Sequence, residues 1–417
     1  MKLGDRGRTV RLGIIGMGLR GVEQMKVLLP MEDVEIVAVC DVYQDRVKAA
    51  QKQTIDSGRP KPFGSTDWKE VLDMPEVEAV IIMTSWQTHV EIAVAAMEKG
   101  KLVGMDVGGA SSVDECWQLV RACERTGVDL MFLENCCYND VEMALLRMVR
   151  EGVFGEIVHA RGGYQHDLRD EIGNGDIIRH YRLDHFIHRN GDLYPTHELG
   201  PMASYLNLNR GNRMLSLVSM ASKAVGQSLW MKEHRGDNPE LQNIVFNQGD
   251  IVTTMIKCQN GETMVLTHDC NLPRPYSRSG YLQGTKGLWT EEGRQIHIEH
   301  ISKPHHFESD KELLEKYEHP LWKEYREFGL RGGHGGMDYL VLRAFIESIQ
   351  QGVPFPIDVY DAASWMVITA LSEQSIAMGS MPVAIPDFTD GKWMKREKRP
   401  ADKFSLDTIA WDKFESN

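Results

Sequence analysis

Arg11-Leu12-Gly13-Ile14-Ile15-Gly16-Met17-Gly18-Leu19-Arg20-Gly21 is a short apolar run that stops on a glycine-rich turn, after which residues 22–29 carry apolar side chains at helical spacing. This order predicts a strand, a tight turn and a helix. A second β-branched run, residues 34–39, ends on Cys40-Asp41, which places Asp41 twenty residues past Gly21. Gly16, Gly18 and Gly21 let the backbone turn sharply and approach a pyrophosphate, which then lies at a helix N-terminus where unpaired N–H groups and the helix dipole favour an anion. An acidic side chain at the end of the next strand can accept both ribose hydroxyls. Strand, turn, helix and acid together predict a dinucleotide site. Because the Asp41 carboxylate would repel a 2′-phosphate, NAD is expected over NADP. Leu19 and Arg20 belong to the same turn, and Arg20 is able to bridge phosphate oxygens.

The alternation continues with strands expected at residues 77–83, 102–105 and 128–133 and helices at 89–99 and 113–126. That is a doubly wound parallel sheet, and the carboxyl ends of its strands should face the nicotinamide: residues 84–89, Asp106-Val107 and Glu134-Asn135. A chain of 417 residues exceeds one core. The boundaries expected are a Rossmann domain over residues 1–138, an α+β domain with an open, mostly antiparallel sheet over 139–385, and a tail over 386–417. In the second unit, residues 140–149 and 339–349 read as helix, and 155–163 and 251–267 as strand. A formal net charge of -13 argues against nucleic acid and for a small-molecule ligand. No window is apolar enough for a membrane span, the 12–19 run is glycine-broken and lacks a cleavage site, and only residues 392–399 are locally basic. Seven cysteines without framework spacing predict free thiols in a reducing, cytoplasmic setting, with Cys136-Cys137 read as small packed thiols. His180, His185, His188 and the His305-His306 pair match no zinc spacing, so no metal is expected.

A Rossmann half followed by strands and histidine-rich loops resembles the glucose-fructose oxidoreductase and inositol dehydrogenase superfamily. Sugar dehydrogenases of that superfamily place a Glu-Lys-Pro motif where this chain has Asp106-Val107-Gly108, and an aspartate four residues before the catalytic histidine where it has Leu193. The lysine and the aspartate are both gone, while His197 remains. Four segments resemble glycoside hydrolase family 109 instead: Leu133-Glu134-Asn135-Cys136-Cys137-Tyr138, Gly162-Gly163-Tyr164-Gln165-His166, Arg189-Asn190-Gly191-Asp192-Leu193-Tyr194-Pro195-Thr196-His197, and Gly332-Gly333-His334-Gly335-Gly336-Met337-Asp338. That family usually has glutamate in the place of Asp106 and glycine in the place of Glu198; a carboxylate next to His197 is placed to alter its pKa or the sugar accepted.

The resemblance implies an NAD-dependent glycosidase acting on a terminal N-acetylhexosaminide, with α-N-acetylgalactosaminide the expected substrate. Transient oxidation at C3 acidifies the C2 proton, the aglycone leaves by elimination, water adds at C1 and the ketone is reduced again. Such a route needs a group for the 3-hydroxyl proton and a separate base at C2. His197, whose ordinary pKa lies near 6.5, suits the first. Tyr164 and Tyr194 are equal candidates for the second, with His166 and Arg182 able to lower a tyrosine pKa. The resemblance also implies that Trp86, Gln87, Thr88 and His89 line the nicotinamide ribose, Asn135 the nicotinamide, and Arg182 and Tyr276 the sugar. A sugar dehydrogenase of the same superfamily is the alternative, and a non-catalytic sensor the third reading. Self-association through the exposed face of the second sheet is expected.

Overall fold

The computed structural model describes residues 7–108, 110–329, 332–396 and 402–414, so part of the basic 392–399 run lies outside the described residues. The first half alternates as β1 (Val10–Ile15), α1 (Leu19–Leu28), β2 (Val34–Cys40), α2 (Gln44–Asp56), β3 (Phe63–Ser65), α3 (Trp68–Leu72), β4 (Ala79–Ile82), α4 (Trp86–Glu98), β5 (Leu102–Met105), α5 (Val113–Thr126) and β6 (Leu130–Phe132). These strands form one parallel sheet in the order β3-β2-β1-β4-β5-β6. Its central strand β4 is buried along its whole length, which is what helices on both faces impose. α5 shows how local chemistry sets an element: Ser112 and Glu115 form a reciprocal capping box, and Gly127 closes the other end at φ 69°.

A 3₁₀ turn (Asn135–Tyr138) and α6 (Asp140–Arg150) lead into β7 (Ile157–Gln165), followed by α7 (Arg169–Gly173), α8 (Gly175–Ile178), α9 (Arg182–His188) and α10 (Thr196–Tyr205). Then come β8 (Met214–Ala221), α11 (Gly226–His234), α12 (Pro239–Gln242), β9 (Ile251–Cys258), β10 (Thr263–Asp269), β11 (Tyr281–Gly284), β12 (Gly287–Thr290), β13 (Gln295–Ile298) and β14 (Glu308–Ser309). The chain closes with α13 (Lys311–Lys316), α14 (Pro320–Phe328), α15 (Met337–Gln351), α16 (Val359–Ala377) and β15 (Val383–Ala384). The nine-stranded second sheet runs β14-β13-β12-β11-β7-β10-β9-β8-β15 and is antiparallel except where β10 lies parallel to β7. The expected strand over residues 251–267 is a hairpin, β9 and β10, that turns at Asn260-Gly261. α10 covers one face of this sheet against β7.

α15 and α16 return to the first sheet: α15 packs on α1 and β1, and α16 spans α5, β6 and β8. The anchor is ionic. Arg343 of α15, buried, donates to both oxygens of Asp33 at 2.9 and 3.0 Å and to Glu347 at 3.0 Å. No helix among the described residues is long and apolar enough to cross a membrane.

Removing one member of this buried group leaves the others charged and uncompensated. Arg343→Ala is expected to lower unfolding free energy by about 3–5 kcal/mol in guanidinium titrations, and Arg343→Met with Asp33→Leu and Glu347→Leu to recover much of that loss.

Candidate active site

The β1–α1 turn has the geometry that a dinucleotide crevice requires. Gly16 sits at φ 99°, and a Cβ there would lie 2.5 Å from the Met83 backbone; at Gly21 it would lie 1.9 Å from the Gly16 carbonyl oxygen. At Gly18 a Cβ would meet only Arg46 Nη1, at 3.6 Å, so the backbone there faces open space above the N-terminus of α1. Asp41 is fixed beside it, accepting from Met17 N at 2.8 Å and Tyr43 N at 2.9 Å. These groups open on a cavity of about 950 Å³ that continues past Leu19, Arg20, Gln87, Thr88, Asp106 and Asn135 to Tyr164, His166, Arg182, Tyr194 and His197. The cavity thus joins the crevice to the face of the second sheet. Its shape and donor set fit a dinucleotide: glycine backbone for the pyrophosphate, Asp41 for a ribose, Asp106 and Asn135 at the inner end.

The inner end is held by charge. Asp338, at the start of α15, accepts two hydrogen bonds from Arg20 (2.9 and 2.7 Å), one from Asn135 Nδ2 (2.8 Å) and one from His334 Nδ1 (2.7 Å). Burial disfavours its charge, but the His334 and Arg20 hydrogen bonds outweigh that and hold its carboxyl well below the usual range. Arg20 is therefore committed to Asp338, with Asp106 only 3.8 Å from its Nε. Asp106 Oδ1 is buried with no hydrogen-bond partner among the described residues, and burial pushes its carboxyl up despite Arg20.

At the reacting end, Glu134 is buried just past β6 and its Oε1 accepts from His197 Nδ1 at 2.8 Å and from Cys136 N at 3.1 Å. Burial opposes ionisation of Glu134, yet the His197 charge and hydrogen bond bring its carboxyl below the ordinary value. A carboxylate can only accept, so the His197 proton sits on Nδ1 and Nε2 is left as a base. Beside it, Tyr164 and Tyr194 pack their rings 5.4 and 4.8 Å from the imidazole. Tyr164 Oη lies 3.0 Å from His166 Nδ1. Burial raises the pKa of both tyrosines, with Arg182 pulling the other way; burial, then Arg182, lowers that of His166, so its imidazole is neutral near pH 7. Arg182 lies over Tyr194 at 5.4 Å and Trp86 at 5.6 Å and is ion-paired with Glu171.

Not every expected residue reaches the cavity. Trp86 is buried under Tyr181, His185 and Tyr194, its indole filling the space that Gly108 leaves. His89 is buried with Nε2 on the Thr84 carbonyl at 2.9 Å, and Val107 is core, so both lie behind the wall that Thr84, Gln87 and Thr88 form. Glu134 lies behind His197. Tyr276 is half exposed at the rim, 5.2 Å from the His166 ring. Glu198 points away from His197 into a hollow that only glycine permits: a Cβ at Gly162 would sit 1.9 Å from its Cγ. There it faces Arg278 Nε at 3.4 Å, and Arg278 also pairs with Glu142. Glu134, Cys136 and His197 bring one donor atom each within 4.8 Å, but the histidine and glutamate are already bonded to each other. Sequence reading missed Glu171, Tyr181 and His334, which line the cavity, and Asp338, which organises it. The glycine run before Asp338 was the available signal: Gly332, Gly335 and Gly336 all take positive φ to bring it to Arg20.

Residues 138–395 match the family model described as "Glycosyl hydrolase 109, C-terminal domain", and residues 10–133 match "Oxidoreductase family, NAD-binding Rossmann fold". The chain is 44% identical to an alpha-N-acetylgalactosaminidase of Tannerella forsythia, over 94% of this chain and 89% of that protein. It is 42% identical to a glycosyl hydrolase family 109 protein of Stenotrophomonas maltophilia, over 94% and 92%. Among solved structures, a levoglucosan dehydrogenase in complex with NADH and levoglucosan superposes with TM-score 0.70 at 20% identity, over 91% of this chain and all (100%) of that one. Apo scyllo-inositol dehydrogenase from Lactobacillus casei gives 0.65 at 12% identity, over 91% and 99%. The fold is that of these dehydrogenases, and the cofactor is NAD.

Asp41→Ala removes the acceptor for a ribose hydroxyl pair together with the one that Met17 N of the glycine turn uses. It is expected to weaken NAD⁺ binding to stripped protein roughly 10- to 100-fold by calorimetry.

Proposed function

We propose that this chain, which belongs to glycosyl hydrolase family 109, releases a terminal N-acetylhexosamine, α-linked N-acetylgalactosamine by its similarity to the Tannerella forsythia enzyme. It is an NAD-dependent glycoside hydrolase. One observation carries the mechanistic reading: two separate proton-handling pairs, His197 with Glu134 and Tyr164 with His166, face one cavity with their rings 5.4 Å apart. A dehydrogenase needs one such group, whereas elimination across adjacent carbons needs two.

When bound, NAD supplies a hydride acceptor at C3 that returns the hydride at the end of the cycle. His197 Nε2 takes the 3-hydroxyl proton, and Glu134 stabilises the imidazolium that results, as the carboxylate does in a catalytic triad. Tyr164 removes the C2 proton. Its raised pKa means that no tyrosinate stands ready, so its own proton must pass to the neutral His166 as the C2 proton arrives. Arg182 offsets the developing phenolate charge. Among the described residues Tyr194 has no proton acceptor of this kind, and it serves as a wall stacked on Trp86. A buried Val107 stands in the place of the dehydrogenase lysine, which favours the glycosidase over the alternative.

The seven free cysteines support a reducing, cytoplasmic setting. We also infer self-association through the uncovered face of the second sheet, where Val218, Met255 and Val265 align across β8, β9 and β10, Arg161 of β7 and Tyr281 of β11 continue the row, and Met220 and Met255 are exposed. Sedimentation velocity is expected to give at least a dimer, with Met255→Asp shifting it to monomer.

The test of function uses p-nitrophenyl α-N-acetylgalactosaminide in deuterated water. Release with deuterium at C2 and no net NADH is expected, and release at full rate by protein proven free of NAD would overturn the redox route. His197→Ala and Tyr164→Phe should each cost about 10²–10⁴-fold in turnover. They should differ in kind: Tyr164→Phe still shows NADH absorbance on mixing with substrate, His197→Ala does not. Because the lowered pKa keeps His166 neutral until the pH drops below its ordinary 6.5, protonation there blocks the relay only in acid. The acid limb of kcat/KM should therefore fall below pH 6.5 and change in His166→Gln.

A further inference from the structure

Residues 174–182 of the second domain lie across the outer part of the dinucleotide crevice. Gly175, Ile178, Arg179 and Tyr181 line the same cavity as Gly16, Gly18, Asp41 and Arg46. The segment is stiff at its base, where the buried Arg235 donates to the Gly173 carbonyl and forks onto Asp176 at 2.8 and 2.9 Å. Its tip is fastened to the nucleotide side. Arg179, held in the left-handed region at φ 56°, donates to both oxygens of Asp45 at 3.0 and 2.7 Å and lies 4.2 Å over the Tyr43 ring. From the other side, Arg46 stacks on the same ring at 4.9 Å, donates to the Ile178 carbonyl at 3.1 Å and approaches Asp41 at 3.6 Å. Tyr43, Asp45 and Arg46 all follow within five residues of the ribose acceptor Asp41. Beyond the tip, His180 stacks on Tyr181 at 4.5 Å and Tyr181 packs at a tilt against Trp86 at 4.9 Å, which ties the same segment to Arg182 and the sugar end of the cavity.

We propose that residues 174–182 are a strap, latched by Arg179 on Asp45 and Tyr43, that retains NAD between turnovers. The proposal rests on the recycling of NAD within each cycle, which makes retention useful and free exchange wasteful. The segment walls the crevice that a dinucleotide would occupy, and the latch joins residues of the Rossmann half to the second half, so opening it requires breaking a two-pronged charge pair and a cation–π contact together. Arg179 and Asp45 both reach solvent, so substituting them spares the core and the reacting groups.

The experiment loads wild type, Arg179→Ala and the charge-reversed Arg179→Asp with Asp45→Arg with NAD⁺, passes each through desalting, and quantifies NAD per chain. The half-time for exchange against isotopically labelled NAD⁺ is then measured. Exposed ion pairs are individually weak, so the expected acceleration for Arg179→Ala is about fivefold, with lower retained NAD and activity restored by added NAD⁺. The reversed pair restores the charge contact but not the cation on Tyr43, and is expected to recover part of the retention. An unchanged half-time in Arg179→Ala, or a reversed pair that exchanges as fast as the single variant, would overturn the strap. Hydrolysis by wild type proven free of NAD would instead overturn the redox reading while leaving these half-times interpretable.

Discussion

The bond on which the site depends is that between Glu134 and His197. Glu134 has no solvent, and an ionised carboxylate in such a place is tolerable only with a charged or strongly donating partner. His197, at the start of α10, is that partner and comes from the other domain. One 2.8 Å contact therefore compensates a buried charge, fixes the tautomer of the base and sets where α10 lies over the end of β6. Because α10 also rests on β7, the strand that carries Tyr164, the two proton-handling pairs inherit a common frame.

Below that frame the chain tolerates an unusual concentration of acid. Glu142 and Glu198 share the single guanidinium of Arg278, and burial drives both carboxyls upward, so the group is electrically closest to neutral when one of the two holds a proton. This answers the sequence expectation about Glu198. Adjacent in sequence to His197, it is turned through the helix onto Arg278, into the hollow that Gly162 and Gly280 leave. The expected influence on the base was an inference from neighbouring numbers, and helical geometry separates consecutive side chains.

The crevice was legible because its physics is local: Gly16, Gly18, Gly21 and Asp41 lie within one strand-turn-helix-strand unit, and each answers to a backbone constraint that a sequence displays. Residues that act by pairing across the chain were not. Nothing near Glu134 in sequence points to His197, sixty-three positions away, and nothing near Arg20 points to Asp338. The sequence pattern points both toward the cofactor, and with them His89 and Trp86, which α4 places one layer deeper as struts. A helix opening toward a ligand shows only some of its first residues to it; here Gln87 and Thr88 face the cavity while Trp86 and His89 pack beneath. Periodicity alone could not choose the phase. The division of the tyrosines was likewise invisible, since it turns on which hydroxyl finds an imidazole.

A fold shared with sugar dehydrogenases need not share their chemistry, because the sheet and crevice position groups without dictating them. Just past β5, where the sequence comparison expects a dehydrogenase lysine, this chain has the buried, apolar Val107, and His197 of α10 lines the cavity. Because α10 rests on β7, His197 shares its cavity with the Tyr164–His166 pair that β7 leads into. A hydride position with one base oxidises a sugar; the same position with a second base one carbon away makes a leaving group at C1 depart by elimination. On the proposed reading, the step from dehydrogenase to glycosidase keeps the histidine, drops the lysine and sets a second proton acceptor beside the first, and retention of NAD becomes a requirement only once that second acceptor is in place.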